Sequence, residues 1–127
     1  MVKRILVVDD DAAIRNSFNL ALEDTGYKVE AASSGAQALK MAKKTKYDLV
    51  YLDIRMPEMN GIEVLRKLRM QGVTAPIYFV TAFHKQFMEE LDTIRHEGLR
   101  FEILQKPIGN EQIVNITKSI LDQPKAY

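Results

Sequence analysis

Short apolar runs alternate along this chain with stretches in which apolar residues recur every three or four positions. Three of the runs, at residues 5–8, Leu49–Leu52 and 77–80, have no regular polar alternation. Such runs are typical of strands that are covered on both faces in a parallel sheet. Residues 27–31 do alternate, which predicts a half-exposed edge strand, and residues 101–104 are predicted to form a fifth strand.

Helical spacing occupies the intervals between these runs. The first helix is predicted from Ala12 until Gly26 breaks the pattern. Ser34 can cap the second helix with Gln37 as its capping-box partner, and the apolar spacing then continues to about Lys44.

The second half of the chain repeats the same alternation. A third helix is predicted to end near Gly72, and a fourth is closed by Gly98. Asn110 is predicted to cap the last helix, with Glu111 in its first turn.

Five alternations of strand and helix predict an α/β fold. Right-handed crossovers favour a doubly wound, flavodoxin-like sheet of five parallel strands in the order 2-1-3-4-5. The ligand crevice of such a sheet lies beyond the carboxyl ends of strands 1 and 3. We expect one domain over residues 1–122, followed by a loose tail at residues 123–127.

Composition narrows the classes of function. The chain has 127 residues, of which 46% are hydrophobic and 28% charged, and this suits one ordinary globular domain. A net charge of +1 provides no general attraction to nucleic acid or to a membrane, and the lack of cysteine excludes disulfides and thiolate chemistry. No apolar run approaches the ~20 residues of a membrane span or resembles a signal peptide. We therefore predict a cytoplasmic protein.

Polar side chains follow the covered strands, at the point where each strand ends. The carboxyl ends of parallel strands meet at one edge of a sheet, so we expect these side chains to lie close together. They comprise three or four carboxylates, a hydroxyl with a small neighbour, and an ammonium group: Asp9, Asp10, Asp11, Asp53, Thr81, Ala82 and Lys106.

Clustered carboxylates stay ionised in a crevice only if positive charge is near. Lys106 supplies one charge, and Mg²⁺ suits oxygen ligands that retain waters. An aspartate beside such a metal can act as a nucleophile towards phosphorus. We therefore predict Asp53 as the phosphoacceptor, Asp9 and Asp10 on the metal, and Lys106 and Thr81 on the phosphoryl oxygens. Asp11 is expected to cap the first helix.

The sequence resembles the receiver domain of bacterial two-component response regulators, the CheY-like family. The motifs that carry the resemblance span the whole chain in order: Val7-Val8-Asp9-Asp10, Asp53 with Met56-Pro57 and Asn60-Gly61, Thr81-Ala82, and Lys106-Pro107.

The resemblance implies a role for each matching residue. Asp10 would bind Mg²⁺ (or Mn²⁺) directly, Asp9 would act mostly through water, and the backbone carbonyl of Arg55 would complete the metal site. Asp53 would accept a phosphoryl group from a histidine of a sensor kinase or of a phosphotransfer protein.

The resemblance also implies a switch. The hydroxyl of Thr81 would move towards the phosphoryl group. Ala82, which is predicted to bind the phosphoryl group together with Thr81 and Lys106, leaves space beside that hydroxyl. A cis bond before Pro107 would help to aim Lys106.

One position departs from the family pattern. The family usually has Tyr or Phe three residues before the lysine, and its ring moves with the hydroxyl. Ile103 occupies that position here, and Phe101 would lie on the same strand face. The switch residues are therefore predicted as Thr81 and Ile103, without the usual aromatic ring, and either Ile103 or Phe101 could take part in the movement.

Four further residues carry hypotheses about partners and lifetime. Ile14 and Ile108 could form an apolar pair beside the acids that docks the phosphodonor, although both could equally be ordinary core residues. Arg55 and Phe83, each two residues after a site residue, could overhang the crevice and tune the lifetime of the phosphoryl group.

The predicted function is signalling rather than enzymatic. We expect a stand-alone receiver that acts through a downstream protein target and binds neither nucleic acid nor membrane. The alternative is a receiver-like interaction module that works without phosphorylation. A phosphatase that works through an aspartyl phosphate commonly has a second acid at the position of Arg55. A flavin-binding protein of similar topology has a Ser/Thr/Gly-rich loop after the first strand, whereas Asp9, Asp10 and Asp11 at that place would repel the flavin phosphate.

Overall fold

The computed structural model of the chain describes residues 2–82 and 84–122. Over these residues the chain forms five strands and five α-helices. The strands are β1 (Arg4–Val8), β2 (Lys28–Ala32), β3 (Leu49–Leu52), β4 (Ile77–Thr81) and β5 (Glu102–Gln105). The helices are α1 (Ala12–Leu22), α2 (Gly35–Lys44), α3 (Gly61–Met70), α4 (Met88–His96) and α5 (Asn110–Leu121), with a 3₁₀ turn at His84–Phe87 before α4. The predicted tail lies outside the described residues.

The five strands form one parallel sheet in the order β2-β1-β3-β4-β5, which confirms the predicted topology. Val8, the last residue of β1, is aligned with Ala32 at the end of β2 and with Leu52 at the end of β3. The residues that follow β1 and β3 therefore leave the sheet side by side.

Alternate residues of the central strands supply two apolar layers, one on each face of the sheet. Leu6 and Val8 of β1 belong to the layer beneath α2, α3 and α4, whereas Ile5 and Val7 belong to the layer beneath α1 and α5. Burial of β1 and β3 on both faces explains why their sequences have no polar alternation.

The helix caps agree with the sequence in part. The side chain of Asp11 accepts a hydrogen bond from the Ala13 amide, and Ser34 accepts one from the Gln37 amide. The Gln37 side chain bonds to the Ser33 amide rather than returning to Ser34, so the predicted capping box is displaced by one residue.

The predicted cap of the last helix is wrong. Asn110 is already helical, and Gly109 occupies the N-cap without a side-chain hydrogen bond. The extended chain after Pro107 turns into the helix one residue earlier than the capping preference suggested. Strands β2 and β5 likewise begin one residue later than predicted, with Tyr27 and Phe101 just before them.

A buried hydrogen bond ties the sheet to α5. The hydroxyl oxygens of Tyr51 and Thr117 lie 2.6 Å apart, and both residues are at most 1% exposed. Burial raises the pKa of Tyr51 to about 12, although the Thr117 hydrogen bond opposes the rise, so the phenol stays protonated.

We expect Tyr51→Phe and Thr117→Val each to lower the free energy of unfolding by about 1–3 kcal/mol, because each leaves a buried hydroxyl unpaired. The double variant should lose clearly less than the sum of the two, because it removes both polar groups. Urea unfolding of the four proteins measures the coupling. Additive losses would show that this contact does not link β3 to α5.

Candidate functional site

Asp9 and Asp53 are neighbours at the carboxyl edge of the sheet because β1 and β3 are paired in register. The Asp53 amide donates to the Val8 carbonyl at 2.9 Å, and the Asp9 amide donates to the Ala32 carbonyl at 3.1 Å. Both acids are buried, with 2% of Asp9 and 7% of Asp53 exposed.

Asp10 completes a group of three carboxylates. One carboxylate oxygen from each of Asp9, Asp10 and Asp53 lies within 4.8 Å of the other two, and Asp10 is exposed. An all-oxygen set of this kind, open to solvent on one side, is what Mg²⁺ or Mn²⁺ prefers. The residues present therefore fit the predicted metal.

Lys106 supplies the positive charge that the buried acids require. Its Nζ lies 2.9 Å from Oδ2 of Asp9 and 3.6 Å from Oδ1 of Asp53. The Lys106 amide donates to the Thr81 carbonyl at 3.0 Å, which extends the β4–β5 pairing to the edge. The Lys106–Pro107 peptide bond is cis, the isomer that the resemblance implies.

The charge state of Asp53 follows from its surroundings. Burial, followed by the charge of Asp9, raises the pKa of Asp53 to about 6, although Lys106 and the Arg55 amide oppose the rise. Burial would lower the pKa of Lys106, but its hydrogen bond to Asp9 and the charges of Asp53 and Asp9 outweigh that effect and raise it. At neutral pH, Asp53 is therefore an ionised carboxylate at an energetic cost.

Asp9 is held by several groups at once. Its Oδ1 accepts the Asp11 amide at 2.9 Å, its Oδ2 accepts Lys106, and its backbone carbonyl accepts Nη1 of Arg15 at 2.7 Å. These bonds occupy both carboxylate oxygens and fix the β1–α1 connection. The hydrogen bond of Arg15 to the Asp9 carbonyl was not predicted. The sequence indicates only that a cation lies in the first turns of α1, behind the acids.

Gly61 explains the turn after β3. A Cβ at this position would collide with the carbonyl oxygen of Asp53 and lie 2.8 Å from Cα of Ile54. The Gly61 amide donates to the Ile54 carbonyl at 2.7 Å, and Asn60 caps α3 by accepting the Glu63 amide. This close approach was not predicted, although the Asn-Gly pair marked the turn.

The remaining predicted site residues differ in how far they are buried. Thr81, at the end of β4, is 1% exposed, and Ala82 beside it is exposed. Arg55 is exposed after β3. Ile14 and Ile108 are both half-buried against the apolar layer under α1 and α5. Phe83 lies outside the described residues.

Phe101, two residues before Ile103, places an aromatic ring on the same face of β5. Ile103 and Phe101 pack on the same apolar layer, as predicted. The Phe101 ring contacts the Phe79 ring at 5.4 Å between centroids and lies beneath the Arg95 guanidinium at 4.7 Å. Phe101 is therefore held at the amino end of β5, away from Thr81.

Among the described residues, no helix is long and apolar enough to cross a membrane.

Comparison with known proteins agrees with this geometry. Residues 5–118 match the family model of the response regulator receiver domain. The response regulator MprA of Mycobacterium leprae is 46% identical over 122 residues, which cover 96% of this chain and 52% of that protein. The alkaline phosphatase synthesis transcriptional regulatory protein PhoP of Bacillus subtilis is 38% identical over 95% of this chain and 49% of its own length. The chain thus spans about half the length of these curated relatives.

A solved structure has the same architecture. The response regulator protein TrrA of Thermotoga maritima, in complex with Mg(2+)-BeF, superposes with a TM-score of 0.79 at 33% identity. The match covers 94% of this chain and 100% of that one.

The raised pKa of Asp53 predicts a pH-dependent stability. Because the folded pKa is about 6 and the ordinary value is 3.8, the folded state binds the proton more tightly. Without metal, stability should therefore fall as pH rises from about 4 to about 6 and then level off, by at most about 3 kcal/mol from this group.

We expect Asp53→Asn to remove this fall, so that in EDTA at pH 7.5 the variant is more stable than the parent. Urea unfolding between pH 4 and pH 8 measures the difference, with the exposed Asp92→Asn as the matched control. Parallel stability curves for Asp53→Asn and its parent would contradict the argument.

Gly61→Ala should destabilise the fold by about 1–3 kcal/mol, because the new methyl group meets backbone atoms that cannot rotate away. Gly109→Ala is the control, since no atom lies within 4 Å of a Cβ there and the cost should stay below about 1 kcal/mol. Equal losses in urea unfolding would show that the turn relaxes around residue 61.

Proposed function

Since the chain belongs to the family of response regulator receiver domains, we propose that it accepts a phosphoryl group on Asp53 and signals through protein contacts. Receiver domains are signalling domains of two-component systems rather than enzymes in the usual sense. Its catalysis would be confined to its own phosphoryl transfer and slow autodephosphorylation.

The observation that carries the proposal is the convergence of Lys106 with the carboxylates of Asp9, Asp10 and Asp53. A buried carboxylate with one cation at 3.6 Å and two further acids within 4.8 Å is poorly neutralised. Such a site favours the binding of a metal cation together with an electrophile. Phosphoryl transfer is suited to it, because this reaction chiefly requires correct placement of the reactants and neutralisation of the phosphoryl oxygens.

In the proposed transfer, a carboxylate oxygen of Asp53 attacks the phosphorus of a phosphohistidine. The new O–P bond forms as the N–P bond breaks, and the imidazole leaves with the bonding pair and takes up a proton. Lys106 would move from its contact with Asp53 to the phosphoryl oxygens, and Thr81 would donate its hydroxyl to one of them. Ala82 leaves room beside that hydroxyl.

The proposed cofactor is Mg²⁺ or Mn²⁺, held by Asp10, by Asp53, by the Arg55 carbonyl and, through water, by Asp9. The indirect role suits Asp9 because both its carboxylate oxygens already accept hydrogen bonds. When bound, the metal neutralises charge on the phosphoryl oxygens. The structure of TrrA with Mg(2+)-BeF supports this assignment by similarity.

The proposed donor is a sensor histidine kinase or a histidine phosphotransfer protein. Ile14 and Ile108, which share one apolar layer, are the proposed docking pair. Arg55 and Phe83 are proposed to tune the lifetime of the product. The output would be a protein contact, with no part for nucleic acid or membrane in this domain.

Because Ile103 replaces the usual ring, we propose that Thr81 transmits the signal through packing rather than through an aromatic rotation.

The second candidate is an interaction module that works without phosphorylation. It is favoured by Ile103, since an absent aromatic would also suit a domain that never switches. The intact acids and Lys106 favour the first candidate, and a single experiment separates the two.

We expect the protein to gain the mass of one phosphoryl group when it is incubated with acetyl phosphate and Mg²⁺. Asp53→Asn should gain nothing, because the amide is not a nucleophile, and EDTA should abolish the gain in the parent. Intact-mass spectrometry measures the product, and hydroxylamine should remove it, since an acyl phosphate is labile to this reagent.

The matched control is Asp92→Asn, an equal change of charge on the exposed face of α4. It should be phosphorylated like the parent. A parent protein that gains no mass from acetyl phosphate or from any phosphohistidine donor would favour the phosphorylation-independent module.

A further inference from the structure

A cleft of about 810 Å³ opens at the amino ends of β4 and β5, the sheet edge opposite to Asp53 and Lys106. Its walls are the connection from α3 to β4, which includes Val73, and the connection from α4 to β5, which includes Leu99. The volume lies in the range of small-molecule sites, about 300–1,000 Å³.

The cleft combines an apolar floor with guanidinium groups. Val73, Leu99 and Phe101 contribute apolar surface, whereas Arg69, Arg95 and Arg100 contribute three positive charges. Among the described residues, Glu102 is the single acid that lines it. This composition matches an occupant that has both an apolar body and negative charge.

Arg69 makes the walls rigid. Its Nη1 donates to the carbonyls of Val73 at 2.9 Å and Ala75 at 2.7 Å, and its Nη2 donates to the Arg100 carbonyl at 2.8 Å. The two connections are therefore held together before any ligand arrives, which lowers the entropic cost of binding. Burial, followed by the charge of Arg100, lowers the pKa of Arg69, so an anion at this position would relieve repulsion.

Arg95 and Arg100 are the cations left available. Both are exposed, and among the described residues no carboxylate forms an ion pair with either, whereas Arg66 nearby is paired with Glu97 at 2.8 Å. Arg95 lies in the last turn of α4, where a cation complements the helix dipole. Arg100 lies beyond the helix and has no such role.

We propose that this cleft binds a small organic anion, with a planar or apolar body against Val73 and Leu99 and a phosphate or carboxylate group on Arg95 and Arg100. The Arg95 guanidinium lies over the Phe101 ring, 4.7 Å from its centroid, and the residue is exposed to solvent. Guanidinium groups bind phosphate and carboxylate through paired hydrogen bonds. The site is separate from Asp53, so the proposal does not depend on phosphorylation.

The test is an amide chemical-shift titration of the ¹⁵N-labelled protein in EDTA. The probes are adenosine 5′-monophosphate, benzoate, adenosine and inorganic phosphate. The first two combine an anionic group with a planar body, adenosine has only the body, and inorganic phosphate has only the charge. We expect saturable shifts of the Leu99, Arg100 and Thr74 amides with the monophosphate or with benzoate. Adenosine and inorganic phosphate should each bind about tenfold more weakly or not at all, because each lacks one half of the recognition.

Arg95→Gln and Arg100→Gln should each weaken binding by about tenfold, because each removes a charge-assisted hydrogen bond. Lys67→Gln is the matched control: it removes an equal charge from the end of α3 without lining the cleft, and it should bind like the parent. Absence of saturable shifts with every probe, shifts confined to the Asp53 edge, or an equal loss in Lys67→Gln would overturn the proposal. Asp53→Asn should bind the probes unchanged.

Discussion

The site depends on the charge balance between one ammonium group and two buried carboxylates. Lys106 arrives from the end of β5 and reaches Asp9 at 2.9 Å and Asp53 at 3.6 Å, so it joins acids from two other strands. Parallel pairing is what makes this contact possible, because it brings the carboxyl ends of β1, β3 and β5 to the same edge. Burial, followed by the charge of Asp9, raises the pKa of Asp53, and the cation Lys106 does not offset these two effects. The fold thus keeps uncompensated negative charge at the place where the proposed phosphoryl transfer would occur.

Much of this arrangement could be predicted from periodicity. The apolar runs of β1 and β3 specify strands buried on both faces, and the acids that follow them must meet once the strand order is known. Arg15 and Gly61 could not be assigned in this way, because their roles depend on distances between backbones that are fixed only in the folded chain. The N-cap at Gly109 was mispredicted because a local capping preference at Asn110 was overridden by the extended path of the chain after Pro107.

The amino end of β5 is held by several side-chain contacts. Phe101 is packed between the Phe79 ring and the Arg95 guanidinium, and Arg69 bonds to the carbonyl of Arg100. The start of β5 is therefore tied to β4 through Phe79, to α4 through Arg95 and to α3 through Arg69.

Asp9, Asp10 and Asp53 lie at one end of the parallel strands, and Arg69, Arg95 and Arg100 lie at the other end. A charged partner that approaches exerts a torque on the domain, because it is attracted to one of these two groups of side chains and repelled by the other. The Debye length at physiological ionic strength is about 8 Å, so this torque acts only during the final approach. Within that distance, an anionic surface is favoured near the guanidinium groups and a cationic surface is favoured near the acids.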